Sequence, residues 1–271
     1  YATEAKVVHI EIDRAEINKI ITADVAVHAD AREALHALTA LCHPAEHKEW
    51  RASFEALDRI EQEKVASKEF GPTGKIKMAE VINQLSLLTK GNAIVVTDVG
   101  QHQMIAARYF GYKGPRTHIT SGGAGTMGFA LPAAMGAKLA KPQQPVVAVI
   151  GDGGFQMTVQ ELGAIMQYGI PVKILMLNNG FLGMVRQWQE LFHEKRYSST
   201  ELANPDFVKL VQAYGLPAKK ATRREELAPL LKEMLESKTA CFLEVEVGKE
   251  DNVFPMIPAG AGVSDVMLEK E

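Results

Sequence analysis

Apolar and polar positions fall into short hydrophobic runs separated by longer stretches of helical periodicity. Val146-Val147-Ala148-Val149-Ile150 and Val172-Lys173-Ile174-Leu175-Met176-Leu177 are runs of strand length, and the residues between them carry a helical pattern. The unit predicts strand, crossover helix, strand. Ala93-Ile94-Val95-Val96-Thr97 and Phe242-Leu243-Glu244-Val245-Glu246-Val247 predict two more strands. A right-handed crossover makes such strands parallel and brings their carboxyl ends to one edge of the sheet. The pattern therefore predicts an α/β fold, a doubly wound parallel sheet with strands at 93–97, 145–150, 172–177 and 242–247 and helices on both faces.

Upstream, strands at 6–12 and 25–27 flank a short turn and helix, and a further helix carries Ala31, Ala34, Leu35, Leu38 and Leu41 behind Asp30 as N-cap. From Pro44 to Glu69 the chain is heavily charged around a thin stripe of Trp50, Phe54 and Leu57, the pattern of a solvent-facing connector helix, and Phe70-Gly71-Pro72-Thr73-Gly74 breaks it. Helices follow behind Ile76, Val81, Ile82, Leu85 and Leu88; over 129–140; and over 181–194, where Leu182, Val185, Trp188, Leu191 and Phe192 share one face. Asn204-Pro205-Asp206 reads as N-cap, first-turn proline and acidic first turn, closed by Gly215, and Thr222-Arg223-Arg224-Glu225 as a capping box before Leu227, Leu230, Leu231 and Leu235. The expected organisation is the end of one α/β domain at 1–43, a charged helical linker at 44–74, the main domain at 75–248, and a Pro- and Gly-rich carboxyl-terminal arm at 249–271, which reads equally as a disordered terminus. The opening on Tyr1-Ala2-Thr3, with neither Met nor signal peptide before a lone strand, reads as the tail of a preceding domain in a truncated chain.

Thirty basic against thirty-three acidic residues among 271 leave a net charge of −3, which points to no nucleic acid and no anionic membrane as partner. The apolar runs are about six residues long against the roughly twenty that span a bilayer. The two cysteines, Cys42 and Cys241, sit in apolar contexts without C-x-x-C spacing and read as reduced core thiols of a cytoplasmic protein, neither of them catalytic.

Chemistry concentrates at the predicted strand ends. Gly151-Asp152-Gly153 follows one strand and Asn178-Asn179 closes the next, so a carboxylate and an amide oxygen meet in the crevice where open α/β sheets bind ligands. Mg²⁺ takes oxygen ligands and is usually held by one or two protein oxygens plus phosphate oxygens. Glycines at 151, 153, 154 and 180 let backbone approach a diphosphate. An ordinary βαβ unit with a glycine turn would share Gly-Asp-Gly alone.

Gly151-Asp152-Gly153 with Asn179 27 positions after the Asp resembles the thiamine-diphosphate fingerprint of the pyruvate-oxidase, decarboxylase and carboligase superfamily. The continuation Asn178-Asn179-Gly180-Phe181-Leu182-Gly183-Met184-Val185-Arg186-Gln187-Trp188-Gln189-Glu190 is similar to the large catalytic subunit of acetolactate synthase (acetohydroxyacid synthase), and the likeness covers essentially the whole chain as its carboxyl-terminal portion. The resemblance implies a thiamine diphosphate-binding fold, with thiamine diphosphate and Mg²⁺ as cofactors and a structural FAD held mostly by a preceding part of the protein. It implies metal ligation by Asp152, Asn179 and the carbonyl of Phe181, and cofactor contacts from Val99, Gly100, Gln101, His102, Gly125, Gly151, Gly153, Gly154, Leu182, Gly183 and Met184. Met127, in Thr120-Ser121-Gly122-Gly123-Ala124-Gly125-Thr126-Met127-Gly128, takes the place of the residue beneath the bent cofactor, and Met184, Val185 and Trp188 that of the substrate pocket. Several of these carry a plainer reading: His102 as a surface residue at a helix start, Met127 and Trp188 as core. Glu11 and Asp13 read as FAD contacts or as a solvated strand end.

The implied reaction joins pyruvate to a second 2-keto acid, pyruvate or 2-ketobutyrate, giving 2-acetolactate or 2-aceto-2-hydroxybutyrate on the way to branched-chain amino acids. The implied assembly is a homodimer or tetramer with a regulatory small subunit. No catalytic residue is expected in this chain, because the family's catalytic Glu comes from the amino-terminal domain of a partner subunit, and the chain alone is expected to be inactive. Another thiamine diphosphate enzyme, a pyruvate oxidase or 2-keto acid decarboxylase, would share residues 151–179 but not Met184 to Gln189. A non-catalytic dimerisation or interaction module with a vestigial site is the reading from a different class. A nucleotide-binding α/β protein of another family is disfavoured, because no Gly-x-Gly-x-x-Gly follows a strand in the required context.

Overall fold

A computed structural model of the protein describes residues 4–71, 73–249 and 251–270. Residues 1–3 and Pro72, on which parts of the reading above fall, lie outside the described residues. The chain divides into two compact units, one formed by the residues up to Glu61 with Ile257–Val266, the other by Gln62–Met256 with the residues from Met267 onward.

In the first unit β1 (Val8–Glu11) pairs in parallel with β2 (Val25–His28), followed by α1 (Ala31–Leu41) and α2 (Lys48–Glu61). Asp30 caps α1 by accepting the Arg32 N–H at 2.8 Å. The short helix expected between the strands is absent: Asp13 accepts the Ala15 N–H at 2.9 Å and Asn18 the Ala23 N–H at 2.8 Å, side-chain bonds that turn the backbone in place of a helix. Neither α1 nor α2 buries a residue. Cys42 accordingly corrects the expectation of a core thiol, since it caps α1 in the open, whereas Cys241 is buried. A two-stranded sheet with two helices encloses too little volume to cover it.

The second unit begins with a π-helical turn at Gln62–Ala66 and the single turn α3 (Ser67–Glu69). It then runs α4 (Met78–Thr89), β3 (Ile94–Thr97), α5 (Gln101–Tyr109), β4 (His118–Thr120), α6 (Ala130–Ala140), β5 (Val146–Gly151), α7 (Asp152–Met157), α8 (Glu161–Tyr168), β6 (Lys173–Asn178), α9 (Gly183–Phe192), α10 (Phe207–Ala213), β7 (Ala218–Ala221), α11 (Arg224–Glu236) and β8 (Cys241–Glu246). The sheet has six parallel strands in the order β4-β3-β5-β6-β8-β7. The four expected strands are its interior, and β4 and β7 are edge strands that the sequence pattern did not reveal. Alternate residues of the central strands feed two cores. Val95, Val147, Val149, Leu175 and Leu177 pack on the side of α4, α5 and α11; Ile94, Val96, Ala148, Ile150, Ile174 and Met176 pack on the side of α6, α8 and α10. Among the described residues no helix is long and apolar enough to cross a membrane.

Three local expectations shift. Asp206, not Asn204, caps α10, accepting the Lys209 N–H at 3.1 Å. The box before α11 moves one residue on, with Glu226 accepting the N–H groups of Thr222 and Arg223 at 3.0 and 3.1 Å. The third concerns α9, where the plainer reading of Trp188 as core does not hold: Gln187 is 0% and Arg186 6% exposed, while Val185 is 49%, Phe192 38% and Trp188 36%. The polar face is inward because it has partners there. Arg186 pairs with Glu190 at 3.1 Å beneath the rings of Phe181 and Tyr197, and Gln187 bonds backbone at Val253.

Candidate functional site

After β3 the chain enters α5 on one face of the sheet, and after β5 it enters α7 and α8 on the other. The carboxyl ends of these adjacent strands therefore form a topological switch point, where the departing helices leave a crevice. A cavity of about 290 Å³ lies there. The β3–α5 turn contributes Val99, Gly100, Gln101 and His102; the glycine-rich turn contributes Gly125 and Met127; the start of α7 contributes Asp152, Gly153 and Gly154 beside Gly151. From the β6–α9 turn come Asn179, Phe181, Leu182, Gly183, Met184 and Val185. Residues more than eighty positions apart in sequence thus line one hollow. Trp188 is not among its lining residues and packs on Phe192, ring centroids 5.0 Å apart.

Asp152 is 1% exposed, and its Oδ2 accepts the Asn204 Nδ2–H at 2.6 Å. Burial pushes this carboxyl above the usual range, with Asn204 and backbone N–H groups pulling the other way. Asn179 is 5% exposed and its Oδ1 accepts the Phe181 N–H at 3.1 Å. Phe181 also bridges Glu201 in antiparallel fashion, but the bonds of that bridge run from Leu182 N–H to Thr200 C=O and from Leu202 N–H to Gly180 C=O, at 2.8 and 2.9 Å. The Phe181 carbonyl is left outside them.

Two residues unassigned from sequence support this floor. Asn204, read as a helix cap, bonds both Asp152 and, at 3.2 Å, Asn178. Asp98, 0% exposed at the end of β3, accepts the N–H groups of Gly128 and Phe129, each at 3.1 Å, and so ties down the turn that carries Met127. The Asp98 carboxylate lies so close to Gly154 that a Cβ there would overlap it. Either residue was open to detection only as a polar side chain beside a motif, since its partners lie 26 or more positions away.

The donor set is one carboxylate, one amide oxygen and one backbone carbonyl. These are hard oxygens, too few for octahedral coordination without further oxygens such as those of a diphosphate. Among the described residues no cluster of three His, Cys, Asp or Glu could hold a metal by itself. His102 is 6% exposed, packs against Gly151, and has no partner for its buried Nε2; burial alone lowers its pKa to about 4, so it is neutral at pH 7. α5 begins at Gly100 with no side-chain cap, and its first-turn N–H groups belong to cavity-lining residues. An orphaned ring nitrogen, an uncapped helix start and an oxygen-rich floor fit a magnesium-bound diphosphate.

Residues 98–245 match the family described as thiamine pyrophosphate enzyme, C-terminal TPP binding domain. The chain is 44% identical over 264 residues to the mitochondrial acetolactate synthase catalytic subunit of Saccharomyces cerevisiae, covering 96% of this chain and 38% of the yeast protein. It is 41% identical over 271 residues to the large subunit of acetolactate synthase isozyme 2 of Escherichia coli, 100% of this chain and 48% of that protein. Identity to the acetolactate synthase large subunit of Lactococcus lactis is 43% over 270 residues, 98% of this chain and 46% of that one. The chain spans less than half the length of each of these relatives.

Proposed function

The chain belongs to the thiamine pyrophosphate enzyme family through its C-terminal TPP-binding domain, and from that premise we propose that it is the cofactor-binding, carboxyl-terminal part of an acetolactate synthase catalytic subunit. The observation that carries the proposal is the convergence of Asp152, Asn179 and Phe181 on one cavity with Met127 and the α5 N-terminus. When bound, thiamine diphosphate supplies the nucleophilic carbon and electron sink for decarboxylating pyruvate and joining the remainder to a second pyruvate or 2-ketobutyrate, a step of branched-chain amino acid synthesis.

The chain's own residues bind and orient. Asp152, the Asn179 amide oxygen and the Phe181 carbonyl hold Mg²⁺, and the N–H groups at the start of α5 take diphosphate oxygens. Neutral His102 offers a ring nitrogen without adding charge. Met127, held from below through Asp98, supports the bend of the cofactor. Met184 and Val185 form the substrate wall, and Trp188, one turn further along the open face of α9, extends it toward the second keto acid.

Asp152 is the one carboxylate among the cavity's lining residues, and its place is with the metal. The resemblance to acetolactate synthase implies that the acid exchanging a proton with the cofactor's pyrimidine comes from the amino-terminal domain of a partner subunit, in a homodimer or tetramer that also holds FAD and a regulatory subunit. On this reading the 271-residue chain binds thiamine diphosphate in the presence of Mg²⁺ but does not turn over pyruvate. Calorimetry with and without Mg²⁺ tests the first half, and an assay of the chain with pyruvate tests the second. In the intact subunit, acetolactate as product separates this reading from a pyruvate oxidase or decarboxylase, which would release acetyl phosphate or acetaldehyde.

A further inference from the structure

Three side-chain amides lie in series between the carboxyl-terminal arm and the metal-binding floor. Gln187 is fully buried, and its Oε1 accepts the Val253 N–H at 2.8 Å while its Nε2 donates to the Val253 carbonyl at 3.0 Å. A backbone N–H only donates and a backbone carbonyl only accepts, so this pair fixes which way the Gln187 amide faces. Gln187 Oε1 then accepts a second bond, from Gln101 Nε2 at 2.9 Å, and the same nitrogen donates to the Asp251 carbonyl at 2.9 Å. Gln101 is thereby oriented with its Oε1 toward Asn179, whose Nδ2 donates to it at 3.3 Å. With its NH₂ so engaged, Asn179 has its oxygen on the other side, where it accepts the Phe181 N–H at 3.1 Å.

We propose that Gln187 is a positioning residue: through Gln101 it reinforces, from the side opposite the Phe181 N–H, the orientation of the Asn179 amide that leaves its oxygen, not its NH₂, available to the cation, and it couples that orientation to the Asp251–Val253 segment. This rests on the reading of the cavity as a magnesium and thiamine diphosphate site. A flipped Asn179 amide would present N–H groups to a divalent cation, so the relay separates a binding from a non-binding arrangement of one residue. Gly183 lies against Gln101 Oε1 and Asn179 Nδ2 so closely that any Cβ would displace both. The relay also accounts for the inverted face of α9, because a glutamine is buried there for its two-sided hydrogen bonding and not for its volume.

The test is a double-substitution cycle read by calorimetry of Mg²⁺-dependent thiamine diphosphate binding to the purified chain, with the melting temperature of the ligand-free protein recorded beside it. Gln187→Met keeps the volume and removes the bonds. It is expected to weaken binding at least tenfold, and in a Gln101→Met background to weaken it by less than twofold, because the route through Gln101 is already cut. A purely packing role for Gln187 predicts full additivity instead, and that result overturns the proposal. Unsubstituted protein that binds and Gln187→Met that binds equally well overturn the relay while leaving the cofactor site standing. Failure of the unsubstituted chain to bind removes the site and the relay together. Should Gln187→Met not fold, nuclear Overhauser contacts in the unsubstituted protein give the answer. The Val253 N–H and the Gln101 NH₂ share one acceptor and must show a mutual contact, and both must shift when Mg²⁺ and thiamine diphosphate are added; absence of the contact or of the shift overturns the proposal.

Discussion

Asn204 donates its side-chain N–H to the Asp152 carboxylate at 2.6 Å, joining the loop before α10 to the first residue of α7. The bond holds one carboxylate oxygen, on the proposed reading leaves the other for a metal, and with backbone N–H groups partly offsets the burial of Asp152. A hydrogen bond to a charged group contributes about 1.5–3 kcal/mol. Asn204→Ala is therefore expected to weaken Mg²⁺-dependent thiamine diphosphate binding by roughly tenfold or more. Asn204→Asp should be worse, since it sets a second carboxylate against the first. Calorimetry on the two variants decides it: unchanged affinity in Asn204→Asp would remove Asn204 from the site.

Asp98 and Gly154 make the second prediction. The Asp98 carboxylate accepts two backbone N–H groups at the start of α6 and occupies the space a side chain at 154 would need. Asp98→Ala leaves the buried Gly128 N–H and the part-buried Phe129 N–H unpaired, at a cost of about 1–3 kcal/mol for the buried donor, partly offset because burial already holds the Asp98 carboxyl above its usual range. Gly154→Ala drives a methyl into that carboxylate within a closed core. Urea unfolding should place both variants about 1 kcal/mol or more below the parent. A Gly154→Ala chain as stable as the parent would show that the two segments move apart freely.

The sequence showed most of this architecture because the interior strands are buried on both faces and so read as near-continuous apolar runs, interrupted only at positions such as Lys173 and Glu244. β4 and β7 escaped for the converse reason. β4 is three half-buried residues, and β7 is Ala218-Lys219-Lys220-Ala221, whose lysines reach Glu233 and Glu244 at the sheet edge. The cavity residues were legible where a motif carries them in one stretch, as at Gly151 to Gly154 or Phe181 to Val185. Asn204, Asp98 and Gln187 act through partners 26 to 86 positions distant, and no local pattern encodes such a pairing. α9 shows the limit most plainly: its periodicity was right, but which face turns inward was decided by Val253 and Gln101.

His102 supplies a pH prediction for the ligand-free chain. Its folded pKa of about 4 lies below the ordinary 6.5 because burial disfavours the imidazolium. The unfolded chain takes up the proton first as pH falls, so the contribution is fully present above about pH 6.5 and is lost progressively between about pH 6.5 and 4, on the order of 3 kcal/mol in all. Denaturation midpoints across that window should fall for the parent and fall less for His102→Gln. Parallel curves for the two chains would mean that His102 is solvated.

Asp152 sets function against stability. Its folded pKa is raised, so its charged form opposes folding at every pH above the ordinary carboxylate value, and that opposition disappears as pH falls and the group protonates. Removing the carboxylate relieves this cost and leaves Asn204 still bonded to Asn178. Asp152→Ala should consequently melt within a few degrees of the parent at pH 7, or slightly higher, while losing Mg²⁺-dependent binding of thiamine diphosphate altogether. The two readouts separate the causes. Loss of binding in a chain that has unfolded would make Asp152 a structural residue, and binding retained in a folded chain would remove the metal from this strand end and with it the assignment of the cavity.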